Sequence, residues 1–260
     1  MNYGMYISAS GALTSMHRLD ALTNNLANVN TVGFKPHTPA VRQRDVARIE
    51  DDLPFADSNA MLERLGGGVQ LAPTRIGFTQ GALQQTGNPL DLGIQGDGFL
   101  MIRGDMSGNE AELHLTRDGR LTLDADGTIV QGTTGRPVLG VGNQPIRVDP
   151  SRPITINGDG VVNQDGIRVG QLRFVDVPDR QRLSKAGDGL FRLSNDAIEG
   201  LRPAEGRIKQ GEVEASAVDE IRALMQVQAA AGDARSNLAM IDYHDRLMDR
   251  AINRLGRVSG

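Results

Sequence analysis

Between Leu224 and Leu255 the chain repeats apolar residues on a seven-residue beat, and this limits its possible folds more than any other feature. Leu224, Val227, Ala231, Ala234, Leu238, Ile241, Met248, Ile252 and Leu255 follow steps of three and four residues, broken only by Asp245. Such spacing lines one seam of a long helix, the pattern of a coiled coil. Ser216 with Asp219 three positions on forms a capping pair, so the helix is expected from about Glu214 to Leu255. The first thirty residues behave alike: Met5, Ala9, Ala12, Met16, Leu19 and Leu26 share one face, with Thr23 as the polar exception. Two amphipathic helices at opposite ends of a chain need partners for their seams. Spacing alone leaves two answers open, an intramolecular pair and a helix lattice shared among copies.

Composition removes several function classes. With 260 residues the chain can form one large domain or two ordinary ones. A net charge of −4 gives no electrostatic reason to expect nucleic acid or an anionic membrane as partner. There is no cysteine, so neither disulfides nor thiolate chemistry are available. No apolar run approaches the ~20 residues needed to span a bilayer, and no membrane insertion is expected. The N-terminal stretch lacks the basic and continuous apolar regions of a cleavable signal peptide. Aromatics are scarce, with no tryptophan, three tyrosines and six phenylalanines, so an isolated copy is expected to be modestly stable. All three tyrosines (Tyr3, Tyr6, Tyr243) fall in the terminal helices, whose apolar stripes would mark a protein–protein surface.

Taken in order, the first helix should end in the Asn- and Thr-rich run that closes at Gly33, with Pro36 and Pro39 forbidding continuation. From Val41 to Leu65 the pattern is irregular, with a short helix placed around Arg44 to Asp51. Gly66-Gly67-Gly68 reads as a flexible joint. Short strands punctuated by turns then run to about Arg207. Asp118-Gly119, Asp126-Gly127, Asn157-Gly158, Asp159-Gly160 and Asp165-Gly166 are hairpin signals, because these pairs readily adopt positive φ. The expected fold is α+β: long terminal helices pairing as a coiled coil, with an inserted antiparallel β-rich domain. The expected division is 1–32 with 212–260 as the helical core, 33–68 as a linker or extended arm, and 69–211 as the β-rich outer domain.

The block Asn24-Asn25-Leu26-Ala27-Asn28-Val29-Asn30-Thr31-Val32-Gly33-Phe34-Lys35 closely resembles the N-terminal signature of the bacterial flagellar rod and hook protein family. The block from Gly81 through Gly87-Asn88-Pro89-Leu90-Asp91 to Gly96-Asp97-Gly98-Phe99 is similar to a second family segment. Thr116-Arg117-Asp118-Gly119 matches its recurrent hairpin. Length, Val169-Gly170-Gln171-Leu172 and Gly187-Asp188-Gly189-Leu190-Phe191 resemble the proximal rod members most, and the distal rod members next. The resemblance implies a structural, non-enzymatic subunit of the flagellar basal body. Its terminal helices would line an axial core, assembled with further copies and other rod proteins and contacting ring or bushing proteins. It also implies export through the flagellar type III apparatus, and no cofactor. Asn28 and Gly33 would end the first helix, and Phe34 would anchor the following arm. The chain departs from the family where Ser216-Ala217-Val218 replaces Ser-Asn-Val, and where Gln228-Ala229-Ala230-Ala231-Gly232 occupies a usually bulkier stretch.

Chemical readings are outweighed by structural ones. Asp124-Ala125-Asp126-Gly127-Thr128 opens like a calcium loop but lacks the further ligands, the bidentate Glu and the flanking helices. Gly93-Ile94-Gln95-Gly96-Asp97-Gly98 lacks the lysine and hydroxyl of a P-loop. His17, His37, His114 and His244 show no paired ligand spacing, and no nucleophile–base grouping can be placed. Catalytic, cofactor and metal residues are therefore expected to be absent.

Overall fold

A computed structural model describes residues 3–46, 49, 52, 66–107, 110–193, 198 and 200–255. The chain forms two compact units, one of Met1–Ala27, His37–Arg75 and Glu220–Gly260, the other of Asn28–Pro36 and Ile76–Asp219.

The first unit holds two helices, α1 (Tyr3–Ala27) and α2 (Glu220–Leu255), and a two-stranded sheet of β1 (His37–Gln43) and β2 (Val69–Ile76). The helices pack antiparallel: Gly4 lies against His244, Gly11 against Asn237, and Arg18 within 3.9 Å of Asp233. Glycine is what allows this approach. A Cβ at Gly4 would sit 2.8 Å from the His244 ring, and one at Gly11 would sit 2.6 Å from Asn237 Oδ1. Asn25 ties β1 to α1 through a reciprocal pair, Nδ2–H to the His37 carbonyl and the His37 amide to Oδ1, both 2.7 Å. The Gly66–Gly68 stretch is hydrogen bonded, since Gly67 donates to Arg44 O at 2.8 Å and Arg44 donates to Gly68 O at 2.9 Å. Two backbone bonds thus fix what composition reads as a loose joint. The short helix expected around Arg44 to Asp51 falls largely outside the described residues.

The second unit is antiparallel β structure. Its main sheet runs β13 (Ser184–Gly187), β14 (Leu190–Arg192), β6 (Glu110–Thr116), β5 (Phe99–Ser107), β12 (Phe174–Asp176), β15 (Arg202–Pro203). Smaller ladders pair β7 (Leu121–Leu123) with β8 (Ile129–Gln131), and β9 (Ile154–Ile156) with β10 (Val161–Gln164) and β11 (Ile167–Gln171). Two more pair β4 (Leu92–Gln95) with β16 (Arg207–Gln210) and β3 (Leu83–Gln85) with β17 (Glu212–Glu214). The first half of β5, Phe99–Ile102, is buried on both faces because its alternate side chains enter two cores. Leu100 and Ile102 join Leu92, Ile94 and Ile129 on one side, while Phe99 and Met101 join Leu115, Val175 and Phe191 on the other. Half of the six phenylalanines meet there, with Phe78, Phe99 and Phe191 at ring-centroid distances of 5.5–5.7 Å.

Four of the five hairpin signals lie in turns between paired strands, but Asp118-Gly119 does not, because β6 pairs with β5 and β14 while β7 pairs with β8. Asp165 and Gly166, between β10 and β11, both take positive φ (51° and 78°), the geometry a two-residue hairpin needs. Asp124 spends its carboxylate on the amides of Asp126 and Thr128, at 3.0 and 2.7 Å, which closes the β7–β8 turn. One boundary differs from expectation. The helix begins at Glu220 rather than near Glu214, because Glu212–Glu214 is taken by β17, whose Glu214 pairs with Leu83. Ser216 Oγ accepts from the Val218 amide at 3.3 Å, in the turn ahead of the helix.

Candidate assembly surface and the buried ion cluster

Helix α2 carries two apolar stripes side by side. The one facing α1 comprises Ala223, Val227, Ala230, Ala234, Asn237, Ile241 and His244, again in steps of four and three. Ala223, Ala230 and Ala234 are fully buried there. Its small side chains suit the glycine-bearing surface of α1. The heptad read from the sequence shares Val227, Ala234 and Ile241 with this stripe but otherwise runs one position later along the chain. Its larger members lie in the open: Leu224 is 47 % exposed, Leu238 45 % and Ile252 66 %, and Met248 is exposed as well. Ala231 is half-buried, and the side chain of Leu255 lies outside the described residues. On α1, Ala12 is buried, Met5, Ala9, Leu19 and Leu26 are half-buried, and Met16 is exposed. Ile221, Met225, Met240, Tyr243 and Leu247 are exposed as well, on other sides of the helix.

Helix length adds to this exposed surface. At ~1.5 Å per residue, the 25 residues of α1 span about 37 Å and the 36 of α2 about 54 Å. Since Gly4 lies opposite His244, the last turns of α2, with Met248 and Ile252, run past the described start of α1.

The block from Asn24 to Lys35 spans the border of the two units. Asn24, Asn25, Leu26 and Ala27 finish α1, with Asn25 buried against β1. Asn28, Val29 and Thr31 form the turn after it: the Thr31 amide donates to Asn28 O at 3.1 Å, and the Phe34 amide to Thr31 O at 3.2 Å. Gly33 sits at φ 67°, where a Cβ would lie 2.6 Å from the main chain of Arg117. Phe34 is buried, with Lys185 Nζ 3.7 Å from its ring centre.

Lys35 opens a charged cluster in the second unit. Lys35 and Glu214 side chains have no exposed surface, and Arg117 has 2 %. Glu214 Oε1 accepts from Lys35 Nζ at 2.7 Å and from the Gly81 amide at 2.8 Å, while Oε2 accepts from Arg117 Nε at 2.8 Å. The remaining donors find carbonyls: Lys35 Nζ reaches Thr79 O (2.6 Å), and Arg117 Nη1 and Nη2 reach Gly98 O (3.0 Å) and Gly96 O (2.9 Å). The guanidinium also lies 5.6 Å from the Phe99 ring centre. Burial, and then the charge of Arg117, hold the Lys35 amine below its ordinary range, although Glu214 pulls the other way.

The first three sequence blocks that carried the resemblance thus each supply one wall of this cluster. Asn24–Lys35 gives the lysine, the 81–99 block gives the Gly81 amide and two glycine carbonyls, and Thr116-Arg117-Asp118-Gly119 gives the arginine. The segment around Arg117 is tied down as well. Asp118 takes Arg120 Nε and Nη2 at 2.9 and 2.7 Å, and Thr116 Oγ1 donates to Gly189 O at 2.9 Å. Glu214 was not singled out by sequence reasoning. Its one signal is a carboxylate in a short β-compatible run, Glu212-Val213-Glu214, where the helix was expected to begin.

Residues 5–35 match the family model described as flagella basal body rod protein, and residues 93–164 match the flagellar hook protein FlgE/F/G D1 domain. The chain is 35 % identical to the flagellar basal-body rod protein FlgF of Caulobacter vibrioides, over the whole of both chains. The chain belongs to the flagellar basal-body rod protein family. Other similar members are FlgF of Rhizobium meliloti, 30 % identical over 98 % of this chain and 99 % of that one, and FlgG of Bacillus subtilis, 30 % identical over 96 % and 97 %. The matched rod segment ends on Lys35, and the D1 segment opens at β4 and contains Arg117. The cluster therefore joins the two family segments to each other and to Glu214, which lies outside both.

Proposed function

We propose that this protein is a structural, non-enzymatic subunit of the flagellar basal-body rod. It would polymerise through its terminal helices, with further copies and other rod proteins, into the axial shaft and export channel. The observation that carries the reading is the bare face of α2: Leu224 and Leu238 remain exposed after α1 has taken the neighbouring stripe, and Met248 and Ile252 lie exposed past the described start of α1. An apolar row of this length on a helix already paired within its own chain is a docking face. Full-length similarity to a FlgF at 35 % identity, against 30 % for a FlgG, favours the proximal rod over the distal rod. The helical core would be the unit of α1, α2, β1 and β2, and the outer domain the unit of Asn28–Pro36 and Ile76–Asp219. Export through the flagellar type III apparatus, location in the basal body and contacts of the outer domain with ring or bushing proteins belong to the same proposal.

The absence of cysteine makes a direct test available. Leu238→Cys, expressed in a motile cell, should crosslink into higher species in isolated basal bodies. Asp165→Cys, at a β-turn, serves as the comparison. Leu238→Cys remaining monomeric in assembled basal bodies would sink the proposal.

A further inference from the structure

Two stretches, 28–36 and 212–219, carry the chain into and out of the second unit, and they are bonded to each other. The Gly33 amide donates to Glu214 O at 2.7 Å, the Ala217 amide donates to Phe34 O at 3.1 Å, and Lys35 donates to Glu214 Oε1. Lys35 and Glu214 are 179 positions apart, and Arg117 and Glu214 are 97 apart. By contrast β5 with β6, β7 with β8 and β10 with β11 are pairs of neighbouring strands. Closing a long loop is entropically dearer and kinetically later than closing a short one.

Charge sharpens this order. Glu214 is the one carboxylate that Lys35 and Arg117 both reach among the described residues. Until it arrives, docking 28–36 would bury two cations together with no anion between them, an arrangement opposed by both desolvation and repulsion. The hairpins need no such partner. Docking Lys35 against Thr79 O before its charge is answered carries the full cost of that burial.

We infer that Glu214 is a closing key: the β5–β6 and hairpin framework folds first, and the segment 28–36 stays undocked until β17 brings the Glu214 carboxylate between Lys35 and Arg117. Completion of the second unit is then conditional on nearly the whole chain being present. The same two stretches lead covalently to α1 and α2. The inference concerns the folding order of one unit and does not depend on the rod assignment.

Pulse-labelled hydrogen exchange during refolding of the full chain from denaturant tests it, read on peptides covering 28–36, 79–85, β5–β6 and 212–217. In the wild-type protein, protection of 28–36 should appear together with 212–217, on the order of tenfold later than β5–β6. In Glu214→Gln, β5–β6 should become protected at the wild-type rate within about twofold, while 28–36 never reaches protection. Simultaneous protection of 28–36 and β5–β6 in the wild type would overturn the inference without any variant. Full protection of 28–36 in Glu214→Gln, or loss of β5–β6 protection in it, would overturn it too.

Discussion

Lys35 and Glu214 meet at 2.7 Å with no exposed side-chain surface on either, and Arg117 holds the other oxygen of the same carboxylate. One anion between two cations makes the three positions unequal. Removing Lys35 leaves a balanced Glu214–Arg117 pair, whereas removing Glu214 leaves two buried cations unanswered.

Stability should follow that inequality. Glu214→Gln is expected to lose about 3–5 kcal/mol, the range for breaking a buried ion pair by taking away one partner. Arg117→Met should also lose heavily, since the Gly96 and Gly98 carbonyls and Glu214 Oε2 forfeit their donors. Lys35→Met should be the mildest of the three, near or below about 1.5 kcal/mol, because a methionine fills similar volume with no charge to bury. Urea unfolding of the full chain checks the order, and Lys35→Met proving the worst would refute it.

The cluster also shows where sequence reasoning reaches and where it stops. Lys35 and Arg117 lie inside motifs that were legible, and the strands and turns around them follow from period-two runs and Asp-Gly pairs. That the two motifs share one carboxylate was not legible, since pairing across 179 positions leaves no local periodicity. Which stripe of α2 meets α1 was not legible for a different reason. Hydrophobicity selects the large residues Leu224 and Leu238, but α1 presents Gly4 and Gly11, so the alanine stripe packs inward and the leucines stay outside. The partner's surface, not the helix's own pattern, sets the phase.

Lys185 should give the protein a measurable pH dependence. Its amine is buried against Phe34, has no hydrogen-bond acceptor among the described residues, and is pushed by burial from 10.5 down to about 8. Below pH 8 the folded chain must hold a desolvated ammonium, and the full penalty is present. Between about 8 and 10.5 the folded form sheds its proton while the unfolded form keeps it, so stability rises with pH. Lys35, also lowered, contributes in the same direction. Lys185→Met should therefore be more stable than the wild type at pH 7, with the advantage shrinking by pH 10. Melting temperatures at the two pH values decide it, and an advantage that grows with pH would be contrary.

Two glycines separate close approach from backbone conformation. At Gly119 a Cβ would stand 1.8 Å from Leu92 O, on the strand whose amide bonds back to Gly119 O at 2.9 Å. Backbone cannot step aside there without breaking β4, so Gly119→Ala should cost over about 3 kcal/mol. Gly135 has φ 68° but open space around it, so Gly135→Ala should cost only the left-handed conformation, about 1–2 kcal/mol. Denaturant midpoints of the two variants should differ clearly, and equal losses would mean that packing at Gly119 yields easily.

The two stripes of α2 should separate folding from assembly. Ala234 is buried on the face that carries Asn237, which stands against Gly11 of α1, so Ala234→Asp would place an unpaired carboxylate between the helices. That variant should lose α1–α2 pairing in the isolated protein, seen as faster hydrogen exchange in 3–27 and 220–245. Leu238, four positions on, is 45 % exposed in the same isolated chain. Leu238→Asp should leave that exchange within about twofold of wild type, because water already reaches the site. In the cell the ranking changes, because a rod lattice would bury Leu238 and strand the new charge. Leu238→Asp should then be fully exported, folded and non-motile. If it restores normal motility in a deletion strain, the exposed stripe is not an assembly face. If it disrupts the isolated helices as badly as Ala234→Asp, the two stripes are not separate.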